Sequence, residues 1–186
     1  MLEANGEKMA GKKVVISGFG NVAWGTACKL DELGAKVIAF SGPDGYILDE
    51  AGVSGEKIDY MIDLRNSGKN ICQPYADKFP GSKFIPGKKP WEVKADLYIP
   101  CAMQNDIRLE DAKNILASGA KFLREGANMP TTNEALDYLM KNGVIIGPCK
   151  AANAGGVACS CIEMGQNAGH TVFSPEQVHA QLKTIM

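Results

Sequence analysis

No run of apolar residues in this 186-residue chain approaches the length that a membrane-spanning helix requires. A surplus of one charge is missing too: 20 lysines and arginines stand against 21 aspartates and glutamates, a formal net charge of −1. So balanced a chain has no overall field to draw in nucleic acid or an acidic membrane surface, and neither is expected as a partner. There is no internal repeat and no low-complexity tract. None of the six cysteines (Cys28, Cys72, Cys101, Cys149, Cys159 and Cys161) has the Cys-x-x-Cys spacing of a zinc or redox site. Cys159-x-Cys161 with His170 comes nearest, but a spacing of one residue on a helix aims the two thiols in different directions, so no metal site is expected. The cysteines are read instead as small buried apolar residues in a reducing compartment. The first residues are polar and acidic, without a secretory pattern. Together these features predict a cytoplasmic protein.

What the sequence does have is an ordinary globular composition, 45% hydrophobic and 22% charged, and enough length to bury one core. The chain is organised around Lys12 to Gly25. There an apolar β-branched run, Val14-Val15-Ile16, stops at Gly18, and an amphipathic helical pattern begins within three residues. The turn is spelled Gly18-x-Gly20-x-x-Ala23. Gly18 permits the turn, Gly20 lets a pyrophosphate approach the backbone, and Ala23 lets the helix lie close on the strand. The free N–H groups and positive end of the helix then face the phosphates.

The remaining pattern alternates. A helix carrying Val22, Ala23, Ala27, Leu30 and Leu33 on its apolar side ends at Gly34, a natural C′ residue, with Trp24 as a packing residue. A strand follows at 36–41, a turn and short extended piece at 42–49, and a helix at 56–67. A polar stretch surrounds Pro74 and Pro80, and a short strand is expected at 82–86. Strands at 95–100, 121–125 and 144–147 then alternate with helices at 109–117 and 133–141. Residues 155–169 and 174–185 read as helical, the latter with an N-cap Ser174, Pro175 at N1 and Gln177 at N3. The expected fold is α/β: a doubly wound, mostly parallel Rossmann-type sheet with helices on both faces. Residues 1–186 are expected to form a single dinucleotide-binding domain. Residues 1–10 read as the tail of an upstream helix, and 174–186 as a helix cut off by the end of the chain.

In open α/β sheets, ligands sit beyond the carboxyl ends of the strands. After the second strand comes Ser41-Gly42-Pro43-Asp44, where Ser41 can bond a hydroxyl or a phosphate and Asp44 can reach a ribose hydroxyl. Arg65 and Lys69 can swing towards a 2′-phosphate. The choice between NAD and NADP stays open, and the lack of an acid at the first positions favours NADP. Three later loops, Pro100 to Asn105, Glu125 to Thr132 and Pro148 to Val157, each bring a small residue and an amide side chain to one edge. Carboxamides donate and accept, so Asn128 and Asn153 suit a nicotinamide carboxamide and its ribose.

These four motifs together resemble the coenzyme-binding domain of hexameric, bacterial-type glutamate dehydrogenase across nearly the whole chain. The resemblance implies reversible oxidative deamination of L-glutamate to 2-oxoglutarate and ammonia, with NADP or NAD as cofactor. It implies that Gly18, Phe19, Gly20, Asn21 and Val22 bind the dinucleotide and that Asn128 and Asn153 lie near the nicotinamide; with Ser41, Arg65, Cys101, Ala102 and Gln104 from the loops at the carboxyl edge, these are the expected cofactor contacts. Ser160 matches the serine that meets the substrate's side-chain carboxylate, with Val157 one turn earlier on the same helix face. The related leucine, phenylalanine and valine dehydrogenases are not expected to carry a polar residue there, and a non-catalytic nucleotide-sensing module would have no use for one. The family's catalytic lysine and aspartate come from another domain whose glycine-rich lysine segment has no counterpart here. Lys150 adjoins the site but reads as a structural or surface lysine. The resemblance therefore implies a homohexameric parent enzyme, no catalytic residue in these 186 positions, and no turnover from them alone.

Overall fold

A computed structural model describes all residues, 1–186. Strand β1 (Lys13–Ser17) lies at the centre of a seven-stranded sheet. Val14 and Ile16 point into one hydrophobic cluster and Val15 into a second on the opposite face, so the β-branched run is buried on both sides. Helix α1 (Asn21–Glu32) returns the chain for β2 (Lys36–Ser41), which pairs parallel to β1 with Val14 opposite Val37. As expected, Gly34 ends this helix in the left-handed conformation at φ +74°, with Ala35 N–H donating to the Leu30 carbonyl.

Strand β3 (Gly45–Leu48) folds back antiparallel on β2, and β4 (Lys83–Pro86) lies antiparallel on β3. On the other side of β1, strands β5 (Leu97–Pro100), β6 (Phe122–Arg124) and β7 (Ile145–Gly147) add in parallel. The order β4-β3-β2-β1-β5-β6-β7 reverses direction at β1, which opens a crevice beyond its carboxyl end.

Helices α2 (Glu56–Asn66) and α3 (Gln73–Lys78) join α1 on the face cored by Ile16, Phe40, Met61 and Tyr75. Helices α4 (Leu109–Ala117) and α5 (Asn133–Lys141) cover the other face around Ile115, Leu123 and Leu139. A short α6 (Cys149–Ala152), then α7 (Ala154–Gly169) and α8 (Pro175–Ile185) complete the chain. Ser174 and Gln177 form the expected capping box of α8, which has no buried residue. No helix is long and apolar enough to cross a membrane.

Four details depart from the sequence reading. Val22 and Leu33 are half exposed rather than on the buried face of α1, which is made by Ala23, Trp24, Ala27 and Leu30. The stretch around Pro74 contains α3. Cys72 and Cys101 are buried as expected, but Cys159 and Cys161 lie exposed on α7. Residues Glu3–Asn5 make a single 3₁₀ turn closed by Gly6 in the left-handed region.

Candidate functional site

The turn after β1 is fixed by contacts on every side. Gly18 has φ +101°, and a Cβ there would stand 2.9 Å from the carbonyl carbon and oxygen of Cys101, so only glycine fits. Its N–H donates to the Ser41 hydroxyl oxygen at 3.3 Å, and the Cys101 N–H donates to the Ser17 carbonyl at 3.0 Å. Gly20 differs: its φ of −92° suits any residue, and a Cβ would meet nothing within 4 Å. The space above it is open, and no side chain caps the first-turn amides of α1. Free amides beside open space are the arrangement a phosphate needs.

Arg65, on α2, clamps this turn from outside. Its Nη1 donates to the Phe19 carbonyl at 3.0 Å and its Nε to the Asn21 side-chain oxygen at 3.2 Å. The Trp24 indole N–H reaches the same carbonyl at 3.2 Å while its ring packs edge-on to Phe19 and Phe40, the packing role expected of it.

Gly18, Phe19, Gly20, Ser41, Arg65, Cys101 and Ala102 line one cleft of about 520 Å³ at the carboxyl edge. Gly42, Pro43, Asn70, Lys88, Lys89 and Asp106 complete most of its wall. Burial pushes the Cys101 thiol up to about 11, so it is a neutral wall atom and no nucleophile at physiological pH. A larger hollow of about 610 Å³ lies at the opposite, amino edge among Lys13, Glu50, Glu92 and Asp96. Its one lining glycine, Gly119, ends α4, and no α-helix N-terminus faces it.

Other sequence candidates fall outside the cleft wall. Asp44, expected to reach a ribose, instead accepts from the N–H groups of Cys72 at 2.8 Å and Gln73 at 3.1 Å, which turns its carboxylate onto the start of α3. Lys69 and Gln104 are exposed and line none of it. Val22 stands exposed in the first turn of α1. Asn128 and Asn153 bond each other, Nδ2 to Oδ1, at 2.6 Å. The loops after β5 and β6 are stitched together where Asn105, at φ +55°, donates its N–H to the Met129 carbonyl at 3.0 Å. Glu125 is buried and accepts the Cys149 N–H at 3.0 Å, tying β6 to α6. Val157 and Ser160 are exposed on α7, and the Ser160 hydroxyl donates to the Gly156 carbonyl at 3.3 Å.

The sequence reading passed over Lys88, Lys89 and Asp106. Asp106 is 3% exposed and accepts the Ser17 hydroxyl at 2.6 Å, while Lys89 donates to its Oδ1 at 2.6 Å and its backbone carbonyl at 2.8 Å. Only Asp106 left a trace in the sequence, as the acid directly after the Pro100 to Asn105 loop.

A family model described as Glutamate/Leucine/Phenylalanine/Valine dehydrogenase matches residues 1–186. The chain is 55% identical over its whole length to an NAD-specific glutamate dehydrogenase of Bacteroides fragilis, of which it covers 42%. It is 45% identical to an NADP-specific glutamate dehydrogenase of Haemophilus influenzae, covering 41% of it. A solved glutamate dehydrogenase structure superposes with a TM-score of 0.93 at 50% identity, over 99% of this chain and 41% of the other. The chain thus spans about 42% of the length of the relatives it matches.

Proposed function

The chain belongs to the Glutamate/Leucine/Phenylalanine/Valine dehydrogenase family, and on that footing we propose that residues 1–186 are one dinucleotide-binding domain of a glutamate dehydrogenase. The whole enzyme interconverts L-glutamate with 2-oxoglutarate and ammonia. The observation that carries the reading is the open space over Gly20, at the uncapped N-terminus of α1 and inside the 520 Å³ cleft.

In this reading the amides of Phe19 to Val22, on the turn that Gly18 makes, hold the diphosphate, and Cys101 and Ala102 form the wall opposite, with Gln104 exposed beyond that wall. Ser41 and Arg65 close the adenosine end. The nicotinamide, when bound, supplies the hydride acceptor. Asn128 and Asn153 are already paired and offer their remaining donor and acceptor atoms to its carboxamide. Val157 and Ser160, three residues apart on α7, receive the distal carboxylate of glutamate, and the Ser160 hydroxyl favours glutamate over a branched or aromatic amino acid. No residue of this chain takes a proton-transfer role, so the chain alone binds nucleotide without turnover.

Both NAD and NADP suit the site. Asp44 is committed to α3 and leaves no free carboxylate to repel a 2′-phosphate, and relatives specific for each cofactor are known. Assembly of the parent as a cytoplasmic homohexamer belongs to the same proposal. Calorimetric titration with NADH and NADPH, followed by a glutamate-dependent reduction assay, tests it. Binding of both without turnover is expected. Failure of both to bind would remove the cleft from consideration, and full turnover would overturn the division of labour.

A further inference from the structure

We infer that Lys89 donates a charge-assisted hydrogen bond to the diphosphate and is held in place for it by Asp106, an assignment that rests on the dinucleotide reading above. Lys89 lies far from the glycine turn in sequence, and the sheet brings it there. Because β3 and β4 are antiparallel, β4 ends at the same edge as the cleft, with Pro86 opposite Gly45. Gly87 is fastened at that edge by its N–H to the Asp44 carbonyl at 2.9 Å. From there Lys89 reaches Asp106, which follows β5.

The ammonium uses two of its three hydrogens on Asp106, at 2.6 and 2.8 Å. The Lys89 side chain is 49% exposed and that of Asp106 only 4%, so the third hydrogen faces the open side. The second oxygen of Asp106 accepts the hydroxyl of Ser17, the residue before Gly18. One carboxylate therefore joins the cation to the base of the turn, and Gly18, Gly20 and Lys89 line the same cleft.

The chemistry calls for such a donor. A diphosphate carries two negative charges, whereas a helix N-terminus offers the equivalent of roughly half a positive one. Arg65 has already spent Nε and Nη1 on the turn itself. A buried carboxylate in the wall would repel the ligand unless its charge were balanced, and Lys89 balances it while keeping one donor free.

The test uses the full chain with three probes: adenosine, ADP and NADH. In Lys89→Met, the dissociation constants of ADP and NADH should rise about ten- to a hundredfold, the loss expected for a charge-assisted contact, while that of adenosine stays unchanged. Lys89→Arg should retain most of the affinity. Lys89→Met combined with Asp106→Asn removes the unpaired buried carboxylate and should restore the melting temperature without restoring ADP binding. Wild-type ADP affinity in either Met variant would overturn the assignment, and so would a parallel loss of adenosine, which would make Lys89 merely structural. If the unaltered chain binds neither ADP nor NADH, the dinucleotide reading itself fails.

Discussion

Gly18 and Gly20 are glycines for opposite reasons. Gly18 answers to the protein: its backbone is left-handed and the Cys101 carbonyl occupies the place of a side chain. Gly20 has no such demand on it, since protein atoms leave the space beside it empty, and in the function proposed that space belongs to a ligand. Substitution by alanine separates the two. Gly18→Ala should destabilise the chain by about 2 kcal/mol or more and weaken nucleotide binding through the fold. Gly20→Ala should cost no more than about 1 kcal/mol, the range for alanine at an N-cap, yet abolish measurable NADH binding. Urea denaturation beside NADH titration of both variants checks this. A Gly20→Ala chain that binds NADH normally would mean that no phosphate occupies the space.

Between elements, Asp49, just past β3, makes a close joint on the α1 face. It accepts from Lys57 of α2 at 2.6 Å and from the Tyr75 hydroxyl of α3 at 2.6 Å. Burial works to raise the Asp49 carboxyl, but the hydrogen bonds from Lys57 and Tyr75 outweigh it and hold the group below the usual range. The same joint, with burial as its main cause, pushes the Tyr75 phenol well above its ordinary value. A carboxyl lowered on folding stabilises the protein above its unfolded pKa of about 4, and that stabilisation is lost as pH falls through the lower folded value. Asp49→Asn should therefore cost about 2 kcal/mol at pH 7 and distinctly less at pH 3, read from denaturant midpoints at both. The joint also explains why α3 was illegible. Its six residues show no apolar period, and they are helical because Asp44 accepts the leading amides while Tyr75 is drawn into the core.

Across the whole molecule, what the sequence makes legible is whatever repeats locally. Val14 to Ile16, the Gly34 stop and the Ser174 capping box each announce an element within a few residues, and strand and helix alternation implies the parallel sheet. Contacts fixed by sheet order are silent. Lys89 meets Asp106 only because β3 and β4 form an antiparallel pair that brings the chain back to the carboxyl edge, and Asp44 meets α3 for a related reason. Burial of the cysteines divides the same way. Cys159 and Cys161 on α7 should react within minutes with a thiol-specific reagent, whereas Cys72 and Cys101, buried with their thiols pushed up, should react only on unfolding. Mass mapping of the labelled sites checks that order. The antiparallel pair has one more consequence, at the rim of the sheet. β4 is an outermost strand whose free side is the natural place for a foreign strand to dock. It begins with a charged Lys83 and ends with Pro86, which has no N–H to offer. So short a margin, charged at one end and donorless at the other, gives stray chains little to zip onto and guards against fibril growth.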